Sequence, residues 1–341
     1  MTTARLELTR EQILAHRRSV GALEERLPAG TESLRRAAWA GLQDSVPRAA
    51  VLSIHARVQG TASDTWADPS LVQLWGPRFA VYVVAALDLA VFSLGRLPDG
   101  GDARRRADDL ALRLRDLLID RTMTCSEAGH ALGVHPNSLR YAAPTGTVLI
   151  RWDGARQPPV WTVPTPDGDP RDARLELARR YLHVFGPATP GAFAQWAGIR
   201  PRTVGRAVFD ALGGSLTRVR MPIGEGWILA SDEPTFLAPG GPPAPARFLP
   251  SGDPYFLLQG ADRELLVPDA DHRRALWTPR VWPGALLVEG ELVGTWRRAQ
   301  TDVAIEPWRR LSPAEREAVE VEAWSMPLPG IRQGIRVTWG D

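Results

Sequence analysis

The chain has 341 residues, a formal net charge of +2 and one cysteine, and all 41 residues counted as Lys plus Arg are arginine. The lone Cys125 excludes an internal disulfide and every cysteine-rich zinc or iron–sulfur site. The absence of lysine excludes a pyridoxal Schiff base, a P-loop lysine and a lysine nucleophile for strand-cleaving lyase chemistry. The six histidines include no pair at zincin spacing, so neither a metal nor another cofactor is expected. The longest apolar run, residues 79–94, contains Asp88 and is too short to span a bilayer, and no charged start leads into an apolar core and cleavage site. These features predict a cytoplasmic, nucleoid-associated protein away from membranes.

In chain order, a helix through Ile13 comes first. A helix over 31–39 with a hydroxyl cap at Thr31 follows, and then Gly41-Leu42-Gln43-Asp44-Ser45-Val46-Pro47-Arg48. Pro47 suits the first turn of the next helix, which runs through 54–58. Gln43, Asp44 and Ser45 are thus expected in a turn whose polar atoms face a ligand. A wing is expected around 79–84, with a break near 97–101.

The second unit reads as a helix over 103–118, a capped helix over 124–134, a recognition-type helix over 135–141, and strands at 146–152 and 160–163. The six arginines and four aspartates of 104–121 mark a solvated helix face. A third unit repeats the plan with helices at 172–185, 189–198 and 200–212 and strands at 216–221 and 227–230. The Pro-Gly segment 238–245 cannot be helix or central strand. Beyond it, strands are predicted at 255–258, 264–267, 285–288, 291–296, 302–306 and 336–339. A tight hairpin is predicted at 288–292, and a helix over 311–324 that opens on a Ser312/Glu315 capping box. The pattern predicts an α+β protein with three tandem winged-helix (helix-turn-helix) domains at 1–98, 102–165 and 170–235. A small antiparallel β-barrel is expected at 246–341.

The segment from Gly41 to Arg48, followed by Leu52-Ser53-Ile54-His55-Ala56-Arg57-Val58, resembles the first winged-helix domain of the AlkZ and YcaQ type of alkylpurine DNA glycosylases of actinobacteria. Gly294-Thr295-Trp296-Arg297-Arg298 matches a recurring element of the same family, so the likeness covers nearly the whole chain. The resemblance implies a turn with a Gln-aliphatic-Gln or Gln-aliphatic-Asp motif, whose outer side chains hold and polarise the water that attacks the deoxyribose carbon. Here the triplet is Gln43-Asp44-Ser45, with an acidic middle residue and a hydroxyl third. Serine is too weak a base to deprotonate water unaided, so carboxylate work is expected of Asp44. A second departure is Arg78-Phe79-Ala80-Val81-Tyr82, where relatives often show Arg-Gly-Thr-Leu-His.

The activity implied is that of a monofunctional DNA glycosylase. It would hydrolyse the N-glycosidic bond of alkylated purines of the N7-alkylguanine type, extending to bulky natural-product adducts or crosslinks, in DNA repair or self-resistance. Its partner would be damaged double-stranded DNA, and the protein a monomer. The alternative is a non-enzymatic winged-helix transcriptional regulator, in which Asp44 or Ser45 merely caps the following helix.

A pI near 9.1 leans mildly toward polyanions, so the distribution of charge matters more than its total. Expected DNA contacts are Arg35, Arg36, Arg48, His55 and Arg57 near the turn, and Asn137 and Arg140 on the recognition-type helix. Arg200, Arg202 and Arg206 are expected in the third unit, and His272, Arg273, Arg274, Arg297 and Arg298 in the C-terminal half. Each has a plainer reading: solvated arginines, His55 packed on its helix, and Trp277 and Trp282 closing the barrel.

Overall fold

The computed structural model describes residues 6–154, 157–241, 244–328 and 334–340. Pro242 and Pro243 of the expected linker, and residues 1–5, 329–333 and 341 of the expected end domains, lie outside the described residues.

Strand β1 (Leu6–Glu7) leads into α1 (Arg10–Val20), where Thr9 and Gln12 form a reciprocal capping box. Helix α2 (Thr31–Ala37) differs from expectation. Its N-cap is Gly30, no side chain caps it, and Thr31 is already helical. Strand β2 (Leu42–Gln43), helix α3 (Ala49–His55) and the hairpin of β3 (Leu71–Trp75) and β4 (Val81–Ala85) follow. The sheet order is β2-β4-β3, with Gln43 opposite Tyr82. Gln43 therefore lies in a strand rather than in a turn, and Pro47 stands just before α3 instead of within it.

After α4 (Leu89–Ser93), the second unit runs through α5 (Gly101–Leu117), β5 (Met123–Thr124), α6 (Cys125–Ala131), β6 (Val148–Ile150) and β7 (Pro159–Thr162). The predicted Thr124 cap forms a box with Glu127. The expected recognition helix is instead a 3-10 run over Pro136–Thr145, with Pro136 in its first turn and Pro144 inside it. On α5 the charges pair along one face, Arg104 with Asp108 and Arg113 with Asp109.

The third unit holds α7 (Pro170–Phe185), α8 (Pro190–Ala197), α9 (Thr203–Leu212), β8 (Leu216–Met221) and β9 (Gly224–Leu229). Its aromatic centre is Tyr181, Phe185, Phe193 and Trp196, all buried with ring centroids 5.0 to 5.6 Å apart. Such side chains each contribute roughly 1.5–3 kcal/mol when fully buried. The start of the chain joins this unit. Strand β1 pairs in parallel with β8, and Leu8 and Ile13 share a core with Val219 and with Phe236 of α10 (Glu233–Leu237).

The C-terminal half contains β10 (Arg247–Leu249), α11 (Asp262–Leu266), α12 (Ala270–Leu276), β11 (Gly284–Val288), β12 (Glu291–Ala299), β13 (Asp302–Pro307), α13 (Pro313–Trp324) and β14 (Arg336–Trp339). The expected barrel is corrected to a five-stranded sheet in that order, in which no pairing closes β10 onto β14 among the described residues. Helix α13, opened by the predicted Ser312/Glu315 box, buries Val319 and Ala323 in one core with Phe248, Trp296 and Ile305. The apolar face is thus covered by a helix rather than by closure. Of the two other expected strands, 255–258 is buried turn and 264–267 is largely α11, since a run of four apolar residues fits either state. The 288–292 hairpin forms as expected, with Glu289 and Gly290 at φ 50 and 84. The fold class is α+β.

Candidate active site

Strand β2 is held to β4 by the Leu42–Val83 and Gln43–Tyr82 pairings, and the Asp44 N–H continues the ladder to the Val81 carbonyl at 2.8 Å. Alternation along this short strand sets Gln43 half-buried and Asp44 fully buried, with Ser45 exposed. The Gln43 Oε1 accepts a hydrogen bond from Arg78 Nη2 at 3.3 Å. Gly252 approaches its amide from the C-terminal half so closely that a Cβ there would lie 3.2 Å from the Gln43 Cδ. Glycine, here at φ 82, avoids both that crowding and the strain a side chain would meet in the left-handed region.

Asp44 does not face outward with Gln43 and Ser45. Its Oδ1 accepts the Ala50 N–H at 3.0 Å, capping α3 from a distance, and its Oδ2 accepts from Gln73 Nε2 at 2.8 Å. Gln73 in turn accepts the Trp152 N–H at 2.6 Å, which ties the turn to the second unit. Burial pushes the Asp44 carboxyl up to about 7, opposed by the Ala50 N–H, the Arg48 charge and the Gln73 amide. The triplet thus divides into an amide and a hydroxyl on the accessible side and a carboxylate that fixes the backbone from beneath.

The arginines expected beside the turn separate sharply. Arg57 is 3% exposed and makes a two-pronged pair with Asp253, at 2.7 Å to each oxygen, while Ser53 donates to the same carboxylate at 2.7 Å. Arg35 makes a two-pronged pair with Asp88, which also receives Arg180. Arg48 donates to the Trp152 carbonyl at 3.1 Å and stacks 3.7 Å from the Trp66 ring centre, whereas Arg36 is exposed. His55 is buried, with its Nε2 3.0 Å from Ser325 Oγ, and desolvation pushes its pKa down to about 3.

Farther away, Arg200, Arg202 and Arg206 are all exposed at or just before α9, and Asn137 is exposed. Arg140 is half-buried between Phe79 and Tyr141. In the C-terminal half His272 stacks on Trp308 with centroids 4.6 Å apart, and Arg273 donates to the Val267 carbonyl at 2.8 Å, while Arg274 is exposed. Arg297 and Arg298 are exposed on β12. Trp277 is buried and donates to the Phe256 carbonyl, and Trp282 is half-buried.

Three contributors were not anticipated as part of the site: Gln73, Asp253 and Arg78. Gln73 carries a signal, as a lone amide inside the apolar strand Leu71–Trp75. Asp253 stands in a Gly-Asp-Pro turn, a signature of local capping that gives no hint of a partner 196 residues away. Arg78 reaches Gln43 because its backbone adopts φ 56, which the sequence does not announce.

A family model described as DNA glycosylase AlkZ-like matches residues 36–326. An interstrand DNA cross-link repair glycosylase of Streptomyces sahachiroi is 28% identical over 161 residues, which span 46% of this chain and 42% of that protein. The solved structure of the Streptomyces sahachiroi DNA glycosylase AlkZ matches with a TM-score of 0.79 at 19% identity, over 98% of this chain and 100% of that one. The last likeness bears on the fold. The family match, covering most of the chain, favours an enzyme over the regulator entertained from the sequence.

Proposed function

The chain belongs to the AlkZ-like DNA glycosylase family, and from that premise we propose that it hydrolyses the N-glycosidic bond of N7-alkylated purines in damaged double-stranded DNA. The observation that carries this reading is the seating of Gln43, fixed by strand pairing and the Arg78 hydrogen bond, with the Ser45 hydroxyl exposed two residues on. An N7-alkylated guanine is cationic and leaves readily, so the sugar gains oxocarbenium character. The enzyme must chiefly supply a positioned water and negative potential near that sugar. The Gln43 amide keeps its hydrogens and a second Oε1 lone pair for the water, and Ser45 orients it. Asp44 is a positioning residue that keeps the turn in shape and, when ionised, places its charge beneath it. The chain has no lysine to open the resulting sugar, so the product is an intact strand with an abasic site.

In this reading residues 1–98, 102–165 and 170–235 are tandem winged-helix units, and residues 246–341 a sheet domain that closes over Gln43 through the Gly252 turn. The exposed arginines around α9 track the phosphates, and the protein acts as a monomer in repair or self-resistance. The similarity to an interstrand DNA cross-link repair glycosylase of Streptomyces sahachiroi supports including interstrand crosslinks among the substrates. The test uses two duplexes, one with N7-methylguanine and one with a bulky N7-guanine adduct. Free base should appear, and strands should break only after alkali. Breakage without alkali would contradict the monofunctional reading, and no base release from either duplex would remove the assignment.

A further inference from the structure

The turn between β3 and β4 holds a conformation that a hairpin does not require. Arg78 and Phe79 follow one another in the left-handed region, at φ 56 and 58, where bulky side chains are rarely found outside functional sites. One product of this backbone is the Arg78 contact with Gln43. The other is the position of the Phe79 ring, which forms a wall of a cavity of about 350 Å³ whose lining does not include Gln43. There it meets Tyr141 edge-on, with centroids 5.2 Å apart at 79°. Leu97, Ile199 and Val204 add to the apolar lining, so all three helical units contribute. Small-ligand sites are typically concave and mainly apolar, of roughly 300–1,000 Å³ with few polar groups, and this cavity fits that description.

The charges around it have one sign in excess. Arg174 is neutralised by Asp99. Arg96, also in the lining, lies 5.2 Å from the Phe79 ring centre and donates to the Ala197 and Trp75 carbonyls. Arg140 lies 5.9 Å from the same ring, Arg106 5.2 Å from the Tyr141 ring centre, and Arg200 is exposed at the rim. Guanidinium groups beside aromatic faces suit a planar π-system tethered to a polyanion.

We propose that this cavity receives a planar aromatic group carried on DNA, with Phe79 and Tyr141 as its walls and Arg106 and Arg200 holding the adjoining phosphates. The group is either an unstacked nucleobase or the aromatic part of a bulky adduct. The inference rests on the glycosylase reading for its DNA partner but not on catalysis, so binding tests it separately from base release.

Two variants of the full chain isolate the cavity. Phe79→Gly removes the wall while accepting the same positive φ, and Val204→Trp fills the space from α9. Neither residue touches Gln43 or Ser45. Affinity and fluorescence are measured on three duplexes: an unmodified one, one with an unpaired 2-aminopurine, and one with a naphthyl group on a guanine N7. The wild type should bind at least one aromatic duplex about tenfold more tightly than the unmodified one, the scale of one base–aromatic stack, and quench its fluorescence. Both variants should lose that gain while binding unmodified DNA as the wild type does. Loss with 2-aminopurine alone identifies a base, and loss with naphthyl alone an adduct. Equal affinity of the wild type for all three duplexes, or a gain kept by either folded variant, overturns the proposal. Failure of the glycosylase reading would instead appear as no base release with the binding gain intact.

Discussion

Two arginine-rich regions of this chain have nearly the same composition and opposite surroundings. Around α3, Arg35 and Arg57 point inward onto Asp88 and Asp253, and Arg57 is almost wholly buried. Around α9, Arg200, Arg202 and Arg206 point outward, and the nearest carboxylate, Asp210, is 4.0 Å from Arg206. In a chain without lysine, arginine performs both tasks, since its planar fork pairs with a buried carboxylate as well as with a phosphate. Local composition does not separate them; a partner far along the chain does.

The comparison is tested most severely at Asp253. Asp253→Ala leaves the Arg57 charge buried without its partner, and should cost about 3–5 kcal/mol of stability in urea unfolding. Replacing the pair together, as Arg57→Met with Asp253→Leu, should recover most of that loss. Equal losses in the single and double variants would mean that the pair itself, rather than the stranded charge, supports the fold.

A smaller effect is expected at Asp44→Asn, which sets the new amide against the Gln73 NH₂ and should cost about 1–3 kcal/mol. The dependence on pH carries the sign. The folded Asp44 carboxyl sits at about 7, above its ordinary value, so the unfolded chain ionises first as pH rises. The contribution of this group to stability therefore falls between about pH 4 and about pH 7 and levels off above. Asparagine lacks that slope, so the stability gap between wild type and variant should narrow as pH rises through this window. A constant gap would show that burial does not control the carboxyl.

The smallest stability effect belongs to the outward set. Replacing Arg200, Arg202 and Arg206 with serine should change stability by no more than about 0.5 kcal/mol per site. The slope of log affinity for duplex DNA against log salt should become shallower by about 0.9 for each phosphate contact removed. An unchanged slope would mean that these arginines are merely solvated.

Much of the fold follows from signals the sequence carries openly. The Thr124/Glu127 and Ser312/Glu315 boxes place two helices, and the Glu289-Gly290 turn fixes a hairpin. The misread elements are those in which local pattern was ambiguous or overruled. The 136–145 segment takes 3-10 rather than α geometry, short apolar runs became helix or buried turn, and α13 covers the sheet that a barrel would have closed. At the candidate site the triplet was legible but its division of labour was not. Which way each side chain points depends on the register of β2 against β4 and on a donor from β3, both long-range facts.

The central claim is that Gln43 positions the water that releases the damaged base. Single-turnover release of N7-methylguanine from duplex DNA, with wild type beside Gln43→Ala and both at saturating enzyme, tests it most directly. The account predicts a fall of about 10²–10³-fold in the variant with unchanged DNA affinity, the scale of losing one preorganised polar contact in a transition state. Equal rates for the two proteins would contradict it.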